Sequence, residues 1–494
     1  MNYLKAILQK KNTVKTFCLL FTFLGVCLSL IQYFLNRSLW FDEAALAISF
    51  VEKDFSQLFG RLFADQVAPI GFLMVEKSLV TVLGKNEMAL RLFPLCCFLC
   101  SIPLVFGFAI KLFPTKNVAF LATAIFSITN SALRYSSEVK QYSTDVFVAV
   151  ALIYVALTFT FNNKRDYYTL ALIGAIAVWF SNVSIILLFV IGLYIVYTES
   201  AKKNYLPILS IIPWLISFGI YYFLFVSNHP SRGLMLNYWK DAFMPLNPFS
   251  IDFLIFWKLG LQSIYGWLLG FGPVWFLPFT LSVIGLFRLI KKKKYIAIYF
   301  LLFPIVVHLG LSSLKLYPFS GRLVLYQIPL IILLMVNGSE FLFVTIRQRF
   351  KNLPKYSRLI LIVLFFVPLF IRYPNRREET KESLQFMESY IQKEDNIYIY
   401  NPASVAYRFY TSSGKFSFHN KVTIGNIFRN DDIKYVNEIK NLKGHTWLLF
   451  AHVFPLDQKI NEETFIINSL KNSGNEFLLS YKTKGSSAYL VDLK

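Results

Sequence analysis

Eleven apolar stretches of membrane-spanning character divide the chain up to residue 372, near 15–35, 89–110, 117–133, 142–161, 167–180, 183–198, 205–226, 265–289, 295–312, 323–345 and 358–372. A helix needs about 20 apolar residues to cross the hydrocarbon core of a bilayer. In lipid the backbone must satisfy its own hydrogen bonds, so this pattern dictates a bundle of helices. The stretches at 167–180 and 358–372 are short but fit the alternation of loops. The first is too long for a signal peptide, and Leu35-Asn36-Arg37 offers no small-residue cleavage site. Composition agrees where it is diagnostic. Only 16% of residues are charged and 56% are hydrophobic, against about 25% charged in a typical soluble domain.

The net charge of +22 would suit a nucleic-acid binder, but its distribution excludes that class. Residues 1–372 carry 34 Lys/Arg against 14 Asp/Glu, whereas 373–494 carry 16 against 14. Basic loops mark the cytoplasmic side of a membrane protein. Twenty of the 34 fall in the N-terminal tail (Lys5, Lys10, Lys11, Lys15) and in segments 111–116, 162–166, 199–204, 288–294 and 346–358. One orientation fits every loop: N-terminus in the cytoplasm, C-terminal tail outside. The Lys-, Asn-, Ile- and Phe-rich usage fits an AT-rich bacterium, so the expected location is the bacterial cytoplasmic (inner) membrane. Asp42, Glu43, Glu52, Asp54, Asp65, Glu76, Glu87, Glu138, Asp241 and Asp252 then lie in or beside outer loops, and Asp166 and Glu199 in inner ones. Any chemistry belongs to the outer face.

The expected fold is mainly α, a polytopic membrane protein of about eleven transmembrane helices with a C-terminal extracytoplasmic α/β domain. The domains are 1–372, with a long first outer loop at 37–88, and 373–494. Ala44–Leu62 and Pro69–Leu83 read as amphipathic helices lying in the interface plane. The loop 227–264 is similar, with Trp239, Trp257 and Trp267 as interfacial anchors. From Tyr373 onward, Ile397–Tyr400, Thr446–Phe450, Phe477–Tyr481 and Ala488–Asp492 read as strands. Segments 378–393, 402–411, 431–441 and 462–473 read as helices, which gives a small α/β domain. All five cysteines lie inside apolar runs, and Cys97-x-x-Cys100 has no second pair. His229, His308, His419, His445 and His452 lack zinc-site spacing. No metal ligand is assigned; a divalent metal held by outer-loop acids stays open.

Three outer-face segments could carry chemistry. Leu39-Trp40-Phe41-Asp42-Glu43 puts two adjacent carboxylates beside the bilayer, costly unless solvated, paired or functional; Asp42 as the N-cap of a following helix explains it equally well. Arg134-Tyr135-Ser-Ser-Glu138-Val-Lys140-Gln141-Tyr142-Ser-Thr-Asp145 links two spans, with 138, 142 and 145 on one helical face. A solvated hairpin tip is the plain alternative. Tyr317-Pro318-Phe-Ser-Gly321-Arg322 opens the tenth span, placing a guanidinium where a lipid-linked phosphate would lie; interfacial snorkelling is its plain alternative.

Taken in order, these segments resemble the GT-C superfamily of membrane glycosyltransferases, closest to the bacterial family 39 type with its aminoarabinose transferases and protein O-mannosyltransferases. The resemblance rests on Trp40-Phe-Asp42-Glu43, Ala68-Pro69, Ala89-Leu-Arg91-Leu, Tyr135-x-x-Glu138-x-Lys140-x-Tyr142 and Gly321-Arg322, and covers about residues 1–330. Lys140 stands where the family often has arginine, and Ala68-Pro69 replaces the common Pro-Pro. The resemblance implies inverting sugar transfer from a polyprenyl-phosphate donor to an acceptor hydroxyl on a lipid, glycan or protein. It makes Asp42 the base, with Glu43 orienting the acceptor or tuning Asp42. Arg322, Lys140, Arg91 and Arg134 would meet the donor phosphate; Glu138, Tyr135, Tyr142 and Asp145 would meet substrate. The expected partners are that donor, its acceptor and membrane lipids, with no nucleic acid. A transporter or flippase is the main rival, but no inverted repeat appears; a non-catalytic glycan-assembly protein is the second.

Overall fold

A computed structural model describes residues 13–159, 163–227, 229–350, 354–428, 432–456 and 460–494. The basic residues Lys5, Lys10, Lys11 and Lys351 and the end of the fourth expected span, 160–161, lie outside the described residues. The chain forms two compact units: residues 1–34, 67–73 and 91–373, and residues 35–66, 74–90 and 374–494.

The first unit is helical at every expected span. Seven helices among the described residues are long and apolar enough to cross a membrane: Thr13–Phe34, Glu87–Leu112, Ser184–Ala201, Leu206–Val226, Gly272–Lys291, Tyr295–Ser313 and Gly321–Arg349. Lys116–Ile128 and Tyr142–Thr158 are shorter and apolar, and Lys164–Phe180 and Ile360–Arg372 complete the set. Their outward faces carry Phe23, Leu215, Phe223 and Phe370 well exposed, a surface suited to lipid rather than water. The chain is a multi-pass membrane protein.

Two boundaries differ from expectation. The expected span 265–289 belongs to two helices, Ile251–Leu261 continued by a π-helical stretch Gln262–Leu268, and Phe276–Lys291. Gly270 and Gly272 lie between them with φ of 91° and 56°, left-handed backbone that glycine adopts without a Cβ clash. The expected span 117–133 also breaks, at Thr129, whose ψ of 124° separates Lys116–Ile128 from Asn130–Tyr135.

Small residues bring helices into backbone contact, as packing in lipid requires. A Cβ at Gly285 would collide with the Leu334 carbonyl, and one at Gly338 with the Leu281 carbonyl. Beside this crossing Asn337 Nδ2 donates to the Gly285 carbonyl at 2.8 Å, and Arg288 Nη1 donates to Asn337 Oδ1 at 3.1 Å. Gly310, where a Cβ meets nothing within 4 Å, is the natural control. Gly285→Ala is expected to cost at least about 1–3 kcal/mol through overpacking, and Gly310→Ala little. Thermal unfolding in detergent reads the contrast; equal melting temperatures would contradict the close crossing. On the same helix Ile328–Arg349, Glu340 pairs with Arg358 at 2.8 Å, an ion pair the apolar pattern did not disclose.

The second unit joins the tail to residues 35–66 and 74–90. Five strands, β1 (Asn396–Ile399), β2 (Lys421–Ile424), β3 (Gly444–Ala451), β4 (Glu476–Thr483) and β5 (Ser486–Leu493), form one sheet in the order β2-β1-β3-β5-β4. β2, β1 and β3 are parallel; β5 and β4 run antiparallel. β2 escaped the sequence reading because it is a four-residue edge strand with no fully buried position. Helices Thr380–Tyr390, Ala403–Ser412, Asp432–Lys440 and Glu462–Asn472 match the expected ones. Trp447 anchors the core at 0% exposure, its Nε1 donating to Asp395 Oδ2 at 3.1 Å. From the first loop, helix Phe41–Glu52 ends ten residues before the expected Leu62, where Lys53 turns extended.

Candidate functional site

The break at Thr129 builds the site of the first unit. It ends one helix early and starts Asn130–Tyr135, which delivers Arg134 and Tyr135 into a turn before helix Tyr142–Thr158. Lys140 N–H closes the turn on the Glu138 carbonyl at 2.7 Å. Glu138 therefore sits in the turn, and only Tyr142 and Asp145 share a helical face, which corrects the expected alignment of three residues. The turn is not a solvated tip: Glu138 is 1% exposed, Lys140 4% and Tyr135 1%.

Within it Arg134 Nε donates to Glu138 Oε2 at 3.3 Å, and the Arg134 guanidinium lies over the Tyr135 ring, 5.2 Å from its centroid, and over Trp267 at 5.5 Å. Tyr135 meets Tyr142 edge to face at 5.2 Å. Arg322, from the distant Gly321-Arg322 motif, lies over Tyr142 at 5.4 Å. The structure thus brings the polar turn and the late arginine together. Such cation–π contacts hold the planar guanidinium against the ring face. Asp145 instead accepts from Ser181 Oγ at 2.6 Å, and Arg91 is 1% exposed on helix Glu87–Leu112.

Buried polar atoms without partners mark the same turn: Tyr135 Oη, Glu138 Oε1, Gln141 Oε1 and Ser131 Oγ. Leaving such groups unsatisfied costs about 1–3 kcal/mol each, so a polar ligand is favoured here. His308, read from sequence only as a poor zinc ligand, holds the arginine's segment from behind. Its Nε2 lies 3.0 Å from the Pro318 carbonyl and its Nδ1 3.1 Å from Tyr326 Oη. Gly321 N–H adds a bond to Ser263 Oγ at 3.0 Å.

Asp42 and Glu43 belong to the second unit. Trp40 is the N-cap of helix Phe41–Glu52, so Asp42 is its second residue and does not cap it. Glu43 takes the capping part: its Oε2 accepts from Trp40 N–H at 3.5 Å and pairs with Arg37 Nη1 at 2.6 Å, both side chains buried. A Glu at this third helical position reaching back to the N-cap N–H is half of a capping box. The two adjacent carboxylates are thereby distinguished: Glu43 is bound into the fold and Asp42 is half-buried.

The second unit also contains Glu76, on helix Ile70–Leu83, fully buried with neither oxygen hydrogen-bonded. Burial pushes its carboxyl well above the ordinary 4.5. Sequence reading placed it only among the outer-loop acids. A carboxyl that binds its proton more tightly folded than unfolded stabilises the fold at low pH and loses that advantage as pH rises above the unfolded value. Glu76→Gln is therefore expected to melt at or above the wild-type temperature at pH 8, with the difference shrinking toward pH 5. A lower melting temperature at pH 8 would place a charged, paired carboxylate there. Among the described residues no group of three or more His, Cys, Asp or Glu gathers as a metal centre.

Solved structures that share this architecture include ArnT from Cupriavidus metallidurans in the apo state and the same protein bound to undecaprenyl phosphate. The TM-scores are 0.52 and 0.53, at 11% and 12% identity, each covering 94% of this chain and 97% of ArnT. The chain has the fold of ArnT. No family model matches the sequence, and no curated protein is similar to it at the sequence level. The likeness to ArnT is one of fold, spanning both the helical bundle and the C-terminal domain.

Proposed function

We propose that this protein transfers a sugar from a polyprenyl-phosphate carrier to an acceptor hydroxyl at the outer face of the bacterial cytoplasmic membrane. The observation that carries the reading is the cluster Arg322–Tyr142–Tyr135–Arg134–Glu138, two cations packed on buried tyrosines beside the unsatisfied polar atoms of Tyr135 and Glu138. It lies in a fold whose ArnT representative is seen with undecaprenyl phosphate. Nucleotide sugars are confined to the cytoplasm, so an outer-face enzyme needs its sugar delivered on a lipid phosphate.

In the proposed reaction the acceptor oxygen attacks C1 of the sugar while the bond from C1 to the phosphate oxygen breaks. The electron pair leaves on the polyprenyl phosphate, and the acceptor proton passes to the Asp42 carboxylate. The product has inverted configuration. General-base help of this kind is worth about 10²–10⁴-fold. Arg322 and Arg134, with Lys140 and Arg91 as further cations, stabilise charge developing on the phosphate. Glu138, Tyr135, Tyr142 and Asp145 contact substrate in this reading, and Glu43, held by Arg37, fixes the helix start that presents Asp42. Purified protein supplied with a radiolabelled polyprenyl-phosphate sugar tests the reading. Label appearing on a lipid, glycan or protein acceptor supports it. Movement of intact lipid-linked sugar across vesicles without bond cleavage would make it a flippase instead.

A further inference from the structure

In a parallel sheet, ligands bind outside the carboxyl ends of the strands, where the strand order reverses direction. In the second unit β1 lies between β2 and β3, so this place is the carboxyl end of β1 and β3. Here it holds a piece of the chain itself. Three successive backbone N–H groups leading into helix Phe41–Glu52 are each taken by a side chain. Leu39 N–H donates to Tyr410 Oη at 2.9 Å, Trp40 N–H to Glu43, and Phe41 N–H to Glu378 Oε2 at 2.9 Å. Tyr410 lies on the helix after β1, and Glu378 precedes the helix before it.

The grip on Phe41 is double. The other Glu378 oxygen meets His452 Nδ1 at 2.7 Å, and the His452 ring stacks on the Phe41 ring at 4.5 Å and 21°. His452 directly follows β3 and has φ of 53°, a left-handed backbone that costs energy in a non-glycine residue and persists only where its surroundings hold it. Ser38 bonds Glu382 Oε2 at 2.6 Å, and Arg377 lies over Trp40 at 3.8 Å. The residue after Phe41 is Asp42.

We infer that Glu378 and His452 are positioning residues: they clamp Phe41 by its N–H and its ring, and so fix the direction in which Asp42 presents its carboxylate. The inference rests on Asp42 being the base. A misplacement of about 1 Å can cost on the order of 10²-fold in rate, so Glu378→Ala is expected to lower kcat roughly 10- to 100-fold with the donor KM unchanged. Glu378→Gln keeps an acceptor for Phe41 N–H and should restore most of that loss. His452→Phe keeps the stacked ring and loses the bond to Glu378, and should fall between them. Arg408→Ala, which breaks the exposed pair with Glu52 at 2.6 Å, weakens tail attachment away from Asp42 and should leave kcat unchanged.

Hydrogen exchange of the Leu39–Asp42 amides provides a readout that does not depend on turnover, and it is run in wild-type and Asp42→Asn backgrounds. Faster exchange in Glu378→Ala in both backgrounds, together with the kcat loss, supports the clamp. Unchanged exchange overturns it, as does a wild-type kcat in Glu378→Ala or a kcat loss equalled by Arg408→Ala. If Glu378→Ala fails to fold, His452→Phe carries the same comparisons. Normal turnover by Asp42→Asn would remove the base, and the inference with it, even if exchange still showed the segment held.

Discussion

Asp42→Asn is expected to abolish measurable sugar transfer, a loss of about 10²–10⁴-fold, while folding and membrane insertion stay intact. The amide has nearly the shape of the carboxylate but cannot accept the acceptor's proton. Asp42 is half-buried at the second position of its helix, and the cap is supplied by Trp40 and Glu43, so the change leaves the cap in place. Glu43→Gln makes the opposite kind of change. It weakens the buried pair with Arg37, and losing one partner of such a pair costs about 3–5 kcal/mol. Its effect should appear first as lost yield and a lower melting temperature. The pair of variants separates chemistry from architecture in two adjacent carboxylates. Near-normal transfer by Asp42→Asn with label-resolved product would eliminate Asp42 as base.

Much of the architecture was legible because lipid imposes it. Each expected span is helical, and four of the five tail strands were readable from alternating or apolar runs bounded by turn residues. The failures have definite causes. Phe271-Gly-Pro-Val-Trp275 is as apolar as the helices it separates, so hydropathy ran across the reversal at Gly270 and Gly272. Thr129 interrupts a helix without lowering its hydrophobicity. In the site, the order of motifs pointed to Tyr135, Glu138, Tyr142 and Arg322, and the structure joins these residues. Arg91 and Lys140 are buried, and Asp145 is occupied by Ser181. Glu76 was counted among the outer-loop acids and not singled out, because a carboxylate within an amphipathic helix reads as its polar face. The Glu378 and His452 contacts could not be read at all. Phe41 and Glu378 are 337 positions apart, and neither polar residue lies in a distinctive local pattern.

Arg322→Ala tests the other half of the mechanism, and the expected result is selective. Donor kcat/KM should fall by about 10²–10³-fold, the scale of removing one preorganised charge-stabilising group, while the acceptor KM stays within a factor of about two. Selectivity follows from geometry. Arg322 lies over Tyr142, with its segment held by Ser263 and His308, so the guanidinium is oriented before substrate arrives. Arg322→Lys keeps the charge but not the planar fork or the stacking, and should recover only a small part of the loss. Polyprenyl phosphate, the leaving group of the proposed reaction, should compete with donor in wild type and lose potency in both variants. Equal losses for donor and acceptor would mean that Arg322 holds the fold rather than the phosphate. Full rescue by lysine would mean that charge suffices and the stacked geometry on Tyr142 is incidental.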